Sequence, residues 1–430
     1  MLADMASRDA QSWSLAPRLS INKKSRRPKR LQRVQTAVRS FRILKDLTTE
    51  QVNSFMSSYI IYDLDWADEK HMIETLGPDY QHKVGACLAD YYSVLNHLCA
   101  IGELEKMYIP PAMDLHADII MNQILYEESI ARELHLPSNA KVLDLGCGRG
   151  RVAAHVAHMS GAQVTGLNID ADQIASAVAY NKQKKFSNTF IRADMNDLPL
   201  PLPDEHFDGF YQIQAFSLCK DIPRMCRELY RVLKPGARVS LLDWASLDAY
   251  NPDDPHHQEL MQAVKSLIGA IGTPTPQSLV SDLESAGFHM IRDNNASIDG
   301  LQAPLIERAD GYFRTTRFAL LGLVRIGLLP AHFKILFNRL TQDCDAFIEA
   351  DRARLITTSY HWLAEKPAVR VVASTMSTSS PASSDLAIKT GSPASLASAT
   401  KSDSSASSHD EVRLSHFTKG LSGGSAAKEA

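Results

Sequence analysis

The chain has 430 residues and a formal net charge of −3, and 44% of its residues are hydrophobic. This length allows one large domain or two ordinary ones with a proper core, and the near-neutral charge favours no class of partner. The six cysteines form no CxxC pair, so we predict no metal site, no disulfide framework and a reducing compartment. We also expect no membrane-spanning helix, because no apolar run of about 18 residues occurs, and no secretory signal, because the first residues lack an apolar segment.

Both ends of the chain are predicted to be disordered. Residues 1–40 are polar and basic, and the first 42 residues hold eleven Lys or Arg and only two acids. This composition fits a solvated tail, a segment attracted to an anionic membrane surface or a targeting segment. Ser, Thr, Ala and Gly dominate residues 371–430, which is typical of a disordered tail.

The region between the tails is predicted to be an α/β domain flanked by helices. Residues 41–136 show helical periodicity and form a predicted N-terminal cap. Residues 137–300 alternate strands and helices, which is typical of a doubly wound parallel sheet. The predicted strands are 141–146, 163–168, 188–193, 207–213, 238–244 and 288–293, and the predicted helices are 149–159, 170–185, 220–233, 255–269 and 275–286.

Residues 301–370 are predicted to contain further helices and a last strand at 355–364. Within them, residues 318–337 are unusually apolar, with Arg325 and Lys334 as the interruptions. One interpretation is a helix pair that lies over the substrate side of the sheet. The alternative is contact with a membrane or with a lipidic substrate.

A glycine-rich turn follows the first predicted strand in the pattern D-x-G-x-G-x-G. Glycines are needed where the backbone turns sharply against a ligand, because a Cβ atom would clash there, and the following helix begins with unpaired N–H groups. Dinucleotide sites place the third glycine one residue later, which argues against them. The pattern is typical of the S-adenosylmethionine site of class I methyltransferases and makes Asp144, Gly146, Cys147 and Gly148 candidate cofactor-binding residues.

Polar residues end the next three predicted strands. Asn168 would face ribose hydroxyls at the carboxyl end of the second strand; its alternative role is a turn or a helix cap. Asp194 would accept from an adenine amino group and Met195 would pack on the ring, although Asp194 could instead bind backbone N–H groups of its own loop. Gln214, at the end of the fourth strand, would lie under the reacting methyl group.

Candidate bases lie near the fifth predicted strand. Methyl transfer from a sulfonium depends mainly on alignment, but a base can remove a proton from a hydroxyl acceptor or from a carbocation formed by C-methylation. Asp243, His256 and His257 are the candidates, although an isolated histidine is more often structural.

Several segments together resemble the sterol C-methyltransferase family. They are the glycine loop, Gly166 to Asn168 with Gln173-Ile174, Leu233 to Gly236, Asp243-Trp244 with Tyr250 and His256-His257, and Leu305 to Pro367. The resemblance spans roughly residues 88–367. It implies a class I sheet whose final strand is antiparallel, S-adenosylmethionine as methyl donor, and methylation of an alkene in a sterol or related isoprenoid. Carried over by position, it implies donor contacts for Asp144, Gly146, Gly148, Asn168, Gln173, Asp194 and Met195.

Two segments depart from that family on the acceptor side. Its Y-E-Y-G-W-G segment is replaced here by residues 99–104, where Glu103 stands in place of the tryptophan. Its I-E-A-T-C-H segment corresponds to residues 213–218, with Gln214 in place of the acid. Because aromatic faces and carboxylates stabilise a developing cation, these losses predict a kept donor site and a changed acceptor site. The candidate catalytic residues are Gln214, Asp243, His257 and Glu103.

The sequence therefore predicts an S-adenosylmethionine-dependent methyltransferase that acts on a lipophilic small molecule (a sterol, another isoprenoid or a specialised metabolite) at carbon or oxygen. The alternative is a catalytically silent relative that binds donor or lipid as a scaffold or regulator. Nucleic-acid methylation would need a basic groove beside the strand ends, so no nucleic-acid partner is expected. The expected location is the cytoplasm or, through peripheral contact, an intracellular membrane such as the endoplasmic reticulum or a lipid droplet.

Overall fold

A seven-stranded sheet forms the centre of the protein. The computed structural model describes residues 46–102 and 105–368. The strands are β1 (Lys141–Leu145), β2 (Gln163–Asn168), β3 (Thr189–Arg192), β4 (Phe207–Ile213), β5 (Leu233–Ser246), β6 (His289–Asn295) and β7 (Ile356–Glu365). They lie in the order β3-β2-β1-β4-β5-β7-β6. Strands β1 to β5 pair in parallel, whereas β7 is antiparallel to both neighbours, which confirms the α/β class and the antiparallel final strand.

Helices precede, separate and follow the strands. Those of the described residues are α1 (Thr49–Ser58), α2 (Glu69–Leu76), α3 (Tyr80–Gly102), α4 (Ile119–Glu133), α5 (Arg151–Ser160), α6 (Ala171–Lys184), α7 (Ile222–Val232), α8 (Pro255–Ile268), α9 (Pro276–Ser285), α10 (Ala303–Arg325), α11 (His332–Arg339) and α12 (Cys344–Arg352). Asp170, Asp221 and Asp254 accept from backbone N–H groups at the starts of α6, α7 and α8. These caps fix where each helix begins and hence where the strand-to-helix loops open.

The start of β5 is the main difference from the predicted elements. The sequence predicts this strand from residue 238, with Lys234-Pro235-Gly236 acting only to stop the preceding helix. Helix α7 does end at Val232, but β5 begins at Leu233. Leu233 pairs with Phe207 on β4, and the Gly236 N–H donates to the Lys366 carbonyl oxygen at 2.7 Å. Residues 233–237, which local signals mark as a turn, thus become part of β5 because they pair with neighbouring strands.

Both faces of the sheet are buried. Neighbouring residues of a strand point to opposite faces, and Leu241 and Leu242 on β5 accordingly belong to two different clusters. Leu241 packs with residues of α7 and α9, and Leu242 packs with residues of α4 and α5. The carboxyl ends of the strands are left uncovered by these layers and are free to form a site.

Helices from the two ends of the described chain share a third core. Phe55 and Tyr62 from the N-terminal side form one buried cluster with Phe333 and Leu336 of α11. Helices of the regions predicted at 41–136 and 301–370 are therefore packed together. Among the described residues, no helix combines the length and the hydrophobicity needed to cross a membrane.

Candidate active site

A cleft of about 1020 Å³ opens at the carboxyl ends of β1, β2 and β4, where ligands bind in open α/β sheets. The structure brings nine residues predicted from the sequence to its walls: Asp144, Gly146, Cys147, Gly148, Asn168, Gln173, Asp194, Met195 and Gln214. Asp243 and His257 do not belong to the lining. Glu103, the fourth candidate catalytic residue, lies outside the described residues.

The glycine loop joins β1 to α5 in a conformation that other residues disfavour. Gly146, Gly148 and Gly150 have φ values of 75°, 50° and 69°, all in the left-handed region. The Gly146 N–H donates to the Leu167 carbonyl oxygen on β2 at 2.8 Å, which holds the loop against the neighbouring strand end. A Cβ atom on Gly148 would lie 3.3 Å from Gln173 Oε1. Any larger side chain at Gly148 would therefore crowd the wall of the cleft.

Asp144 places a buried carboxyl group at the base of the cleft. Its side chain accepts a hydrogen bond from the Tyr211 hydroxyl at 2.8 Å. Burial raises the pKa of Asp144 to about 7, against the effect of this hydrogen bond, and the charge of Glu127 adds to the rise. A cation in the cleft would favour the ionised form, so Asp144 is suited to hold an ammonium or sulfonium group.

Asn168 and Gln173 form a hydrogen-bonded pair at the second strand end. Asn168 Nδ2 donates to Gln173 Oε1 at 3.2 Å, and Asp170 accepts from the Gln173 backbone N–H at 2.7 Å. Asp170 therefore caps helix α6, so Asn168 does not serve as the helix cap that was its alternative role. The Nε2 atom of Gln173 is buried without a hydrogen-bond partner among the described residues, which leaves a donor for a ligand hydroxyl.

Asp194 and Met195 follow the end of β3 and line the cleft there. Asp194 Oδ1 accepts from the Asn196 backbone N–H at 2.9 Å. One carboxylate oxygen thus binds a backbone N–H of its own loop, which is the alternative role expected for Asp194. Burial raises the pKa of Asp194 above its usual range. A carboxylate has a second oxygen that can accept from a ligand amine, and both residues line the cleft.

Arg149 is a site residue that the sequence interpretation misses. It lines the cleft, and its Nη1 donates to the Asn96 carbonyl oxygen at 3.4 Å. Its Nε is buried and has no partner within the described part of the chain. Arg149 occupies an unspecified position of the glycine pattern, so the pattern itself gives no information on it. A guanidinium group with a free N–H is suited to a carboxylate.

Together these groups fit S-adenosylmethionine. Asp144 would hold its cationic part, Arg149 its carboxylate, Asn168 and Gln173 its ribose hydroxyls, and Asp194 its adenine amine. Buried polar groups are normally paired, so the free N–H groups of Arg149 and Gln173 are best explained by a polar ligand. When bound, this donor supplies a methyl group already activated by attachment to a sulfonium.

Residues 105–108 line the same cleft, and we call residues 105–109 the wall segment. Lys106 Nζ donates to Glu127 Oε2 at 2.6 Å, and the Tyr108 hydroxyl donates to Glu127 Oε1 at 2.7 Å. At the other end of the segment, Glu105 pairs with Arg151 on α5. These contacts tie the wall segment to the helices on either side of the glycine loop.

Glu127 is a second residue that the sequence interpretation misses. It is fully buried on α4, and His155 Nδ1 lies 2.6 Å from its Oε2 in addition to the contacts from the wall segment. A buried carboxylate needs such pairing to offset its lost hydration. Its partners come from positions 106, 108 and 155, so no local motif could have revealed the group.

Gln214 lies at the cleft, as predicted, but its side-chain amide binds backbone. Nε2 donates to the carbonyl oxygens of Ile109 (2.8 Å) and Thr358 (2.7 Å), and Oε1 accepts from the Ile109 N–H at 3.1 Å. Its φ of 52° is unusual for a residue other than glycine. Gln214 therefore joins the end of β4 to the wall segment and to β7, and its amide group is occupied by that role.

Asp243 lies behind the cleft rather than in it. It is buried on β5, where its Oδ2 accepts from the Phe216 backbone N–H at 2.8 Å and from Gln212 Nε2 at 3.1 Å. Burial raises the pKa of Asp243 to about 6, although these hydrogen bonds oppose the rise. These contacts hold the loop after β4 in place. To act as a base, Asp243 would have to reach the acceptor from outside the lining of the cleft.

His256 and His257 lie at the start of α8. His257 Nδ1 accepts from the Asn251 backbone N–H at 3.0 Å, and His256 Nε2 lies 2.8 Å from Glu349 Oε1 on an exposed part of the surface. Neither histidine lines the cleft. The structure thus does not bring Gln214, Asp243 and His257 together as one catalytic group.

Comparisons with known proteins show that the chain is similar to methyltransferases. A family model described as a methyltransferase domain matches residues 143–241. A sterol 24-C-methyltransferase of Pneumocystis carinii (strain B80) is 29% identical over 271 residues, which cover 57% of this chain and 70% of the relative. A cycloartenol-C-24-methyltransferase of Arabidopsis thaliana is 28% identical over 256 residues, covering 56% of this chain and 76% of the relative. The cyclopropane synthase MmaA2 from Mycobacterium tuberculosis shares the fold, with a TM-score of 0.52 at 14% identity over 62% of this chain and 94% of that one.

Proposed function

Since this chain is a diverged member of the sterol C-methyltransferase family, and hence an S-adenosylmethionine-dependent methyltransferase, we propose that its acceptor is a lipophilic small molecule. The observation that carries the proposal is the lining of the cleft. Beside the polar groups suited to the donor, Leu88, Tyr92, Met107 and Leu218 give it an apolar part. Burial of such surface favours binding by about 25 cal/mol per Å². Relatives named for sterol and cycloartenol methylation support the same class of acceptor.

We propose that the methylated atom of the acceptor is a carbon rather than an oxygen. A hydroxyl acceptor needs a base, whereas a carbocation formed from an alkene loses its proton readily, even to water. Of the cleft carboxylates, Glu105 is ion-paired with Arg151, Asp144 accepts from the Tyr211 hydroxyl, and Asp194 accepts from the Asn196 backbone N–H. Tyr92 offers an aromatic face, which can stabilise a cation, and burial raises its pKa to about 12. O-methylation remains the second proposal.

Label transfer tests the proposed acceptor class. The full chain is incubated with trideuterated-methyl donor and a whole-cell extract divided into apolar and aqueous fractions, and products are identified by mass spectrometry. We expect a product that carries one trideuterated methyl group in the apolar fraction, and none with boiled protein. Label confined to the aqueous fraction would contradict a lipophilic acceptor, and fragmentation of the product identifies the methylated atom.

The proposal includes peripheral contact with an intracellular membrane through α10 and α11. Residues 311–342 contain five Lys or Arg and no Asp or Glu, although Asp310, Asp343 and Asp345 flank them and pair with Arg314 and Arg339. Arg325 and Lys334 form no ion pair within the described residues. Cationic surfaces of this kind are attracted to anionic lipid headgroups.

Exposed apolar side chains accompany these cations. The relative exposure is 80% for Phe318, 68% for Ile326, 52% for Leu328 and 53% for Ile335. Phe318 and Arg325 are seven residues apart on α10 and so lie on the same face. We call Phe318, Arg325, Ile326, Leu328, Lys334 and Ile335 the α10–α11 surface. Apolar groups next to cations are the pattern of helices that bind in a membrane interface, where a lipophilic acceptor would be concentrated.

Vesicle sedimentation tests this contact. We expect the protein to sediment with phosphatidylserine-containing vesicles and less with pure phosphatidylcholine vesicles. The double change Phe318→Ser and Ile326→Ser should weaken binding about tenfold or more. The matched control is Ile120→Ser with Val178→Ser, at positions that are 54% and 49% exposed outside this surface, and it should bind normally. Equal binding by both variants would contradict the assignment of the surface.

A further inference from the structure

A second cavity lies on the face of the sheet that α4 covers, with an empty volume of about 1070 Å³. Its polar lining comes from the end of α4 and from β5, β6 and β7, and includes Arg132, Glu133, Arg238, Arg292, Asn294 and His361. It shares no lining residue with the donor cleft. The cavity is therefore separate from the site of methyl transfer.

The lining of the cavity is rich in guanidinium groups. Its lining contains three guanidinium groups, from Arg132, Arg238 and Arg292, and two imidazoles, but Glu133 is the only carboxylate in that lining. Glu128 and Glu365 lie near Arg132 and Arg238 at 3.7 Å from outside the lining. Guanidinium groups bind the oxygens of phosphate and carboxylate groups in pairs.

Glu133 is bound within the protein in its ionised form, where it balances the charge of Arg292. Its Oε1 contacts Ser240 Oγ (2.7 Å) and His361 Nε2 (2.8 Å), and its Oε2 accepts from Arg292 at 2.9 Å. Although burial opposes it, the hydrogen bonds from His361 and Ser240 and the charge of Arg292 hold the pKa of Glu133 below its usual range. The carboxylate is thus fixed in its charged form at the wall. Arg238 also donates to the Glu133 carbonyl oxygen at 3.0 Å and pairs with Glu365, and Arg132 pairs with Glu128. A guanidinium group has five N–H groups, so each arginine keeps donors for a ligand.

Tyr126 supplies an independent sign of a ligand. Its side chain lines the cavity and is 2% exposed, yet its hydroxyl has no hydrogen-bond partner within the described residues. Burial raises the pKa of Tyr126 well above its usual value, so the group stays a protonated donor. A buried donor of this kind normally has an acceptor.

We propose that this cavity is a binding site for a small molecule that carries a phosphate group. Arg238 and Arg292 bind the phosphate oxygens, and the Tyr126 hydroxyl donates to the bound group. A phosphate is favoured over a single carboxylate because it offers more acceptor oxygens to the N–H groups of the three guanidinium groups in the lining. The site does not depend on the proposed acceptor, because it shares no residue with the cleft.

Titration of the full chain with inorganic phosphate and with pyrophosphate tests the site, at constant ionic strength in a phosphate-free buffer. We expect saturable binding of at least one of them, seen as heat and as a rise in the melting midpoint. Arg238→Gln should weaken binding about tenfold or more, whereas Arg352→Gln, a surface arginine paired with Glu307, should leave it unchanged. No saturable binding, or equal binding by both variants, would overturn the proposal.

Tyr126→Phe separates a ligand-binding role from a structural one. Because the hydroxyl has no partner within hydrogen-bond distance among the described residues, its removal should leave the melting midpoint of the free protein unchanged or raised, and phosphate binding should weaken several-fold. A lowered midpoint with unchanged phosphate binding would show that the hydroxyl serves the fold. Binding of labelled methyl donor, measured in the same samples, should be unaffected, which separates failure of this site from failure of the donor cleft.

Discussion

The proposed donor side and the proposed acceptor side of the cleft are built in different ways. The donor side comes from the ends of consecutive strands, so Asp144, Asn168 and Asp194 follow one another along the chain and share one edge of the sheet. The acceptor side comes from α3, the wall segment and the loop after β4. Its parts are held by contacts such as the one between Gln214 and Thr358, which are 144 residues apart.

This difference explains how the chain can keep its donor while its acceptor changes. The donor side depends on backbone turns and strand ends, where few residue types are allowed. The acceptor side depends on contacts between side chains, and several of these side chains can be replaced together. Four changes, ordered from the largest expected effect to the smallest, test this view.

The largest effect is expected for Gly148→Val, compared with Gly161→Val. Both glycines have a positive φ, but a Cβ atom on Gly148 meets the cleft wall, whereas nothing lies within 4 Å of one on Gly161. We expect Gly148→Val to weaken donor binding about a hundredfold or more, as measured by calorimetric titration. Both variants should lose about 1 kcal/mol of stability from backbone strain. Equal donor binding by the two would show that the glycine loop does not form the site.

Arg149→Gln should weaken donor binding about ten- to a hundredfold, because a charged hydrogen bond to the donor carboxylate is lost. The decarboxylated donor is the control ligand. Its affinity should be the same for the wild type and Arg149→Gln, since it has no carboxylate to lose. If the variant weakens binding of both ligands equally, Arg149 acts through the shape of the loop and not through this contact.

Asp144 predicts a pH dependence of donor binding. Its pKa of about 7 in the free protein means that a cationic donor binds with loss of a proton, so affinity should fall up to about tenfold per pH unit below pH 7. Asp144→Asn should remove this dependence and bind the donor weakly at all pH values. A wild-type affinity that is constant between about pH 5 and 8 would contradict this role.

The same residue predicts an opposite effect on stability. The pKa of Asp144 is raised above its unfolded value, so its contribution favours folding at low pH and is lost as pH rises through about 7. Without donor, Asp144→Asn should therefore raise the melting midpoint relative to the wild type more at pH 8 than at pH 4, as measured by calorimetry. A constant difference would show that the carboxyl group is not buried in the free protein.

The smallest effect is expected for Gln214→Glu, on the acceptor side. This change restores the acid of the family at that position, but it removes the two hydrogen bonds that Nε2 donates to Ile109 and Thr358. We expect about 1–3 kcal/mol lower stability in denaturant unfolding and a several-fold slower turnover with unchanged donor binding. Faster methylation of a sterol alkene at unchanged stability would show that the site is still that of the family.

The sequence predicts the sheet and brings the proposed donor-binding residues to one cleft, because the signals for both are local. A buried strand, a glycine turn and a polar residue at each following strand end lead directly to Gly146, Asn168 and Asp194. The sequence fails where a residue works through distant partners. Glu127 has its partners at 106, 108 and 155, and no spacing within α4 marks it.

The candidate bases show the same limit. Asp243 and His257 stand near the strand that the sequence assigns to the site, but their hydrogen bonds to Phe216 and Asn251 direct them into the surrounding loops. Gln214 is placed correctly at the cleft, and only the structure shows that its amide binds backbone on two other segments. Sequence position therefore located the site but not which side chains are free within it.

The central claim is that the donor side is kept and the acceptor side has changed, and one competition assay tests it most directly. The full chain receives trideuterated-methyl donor together with a sterol alkene and an apolar cell extract, and mass spectrometry measures where the label goes. The account predicts label in an apolar product other than the methylated sterol, with little in the sterol itself. Label found mainly in the methylated sterol would contradict a changed acceptor side.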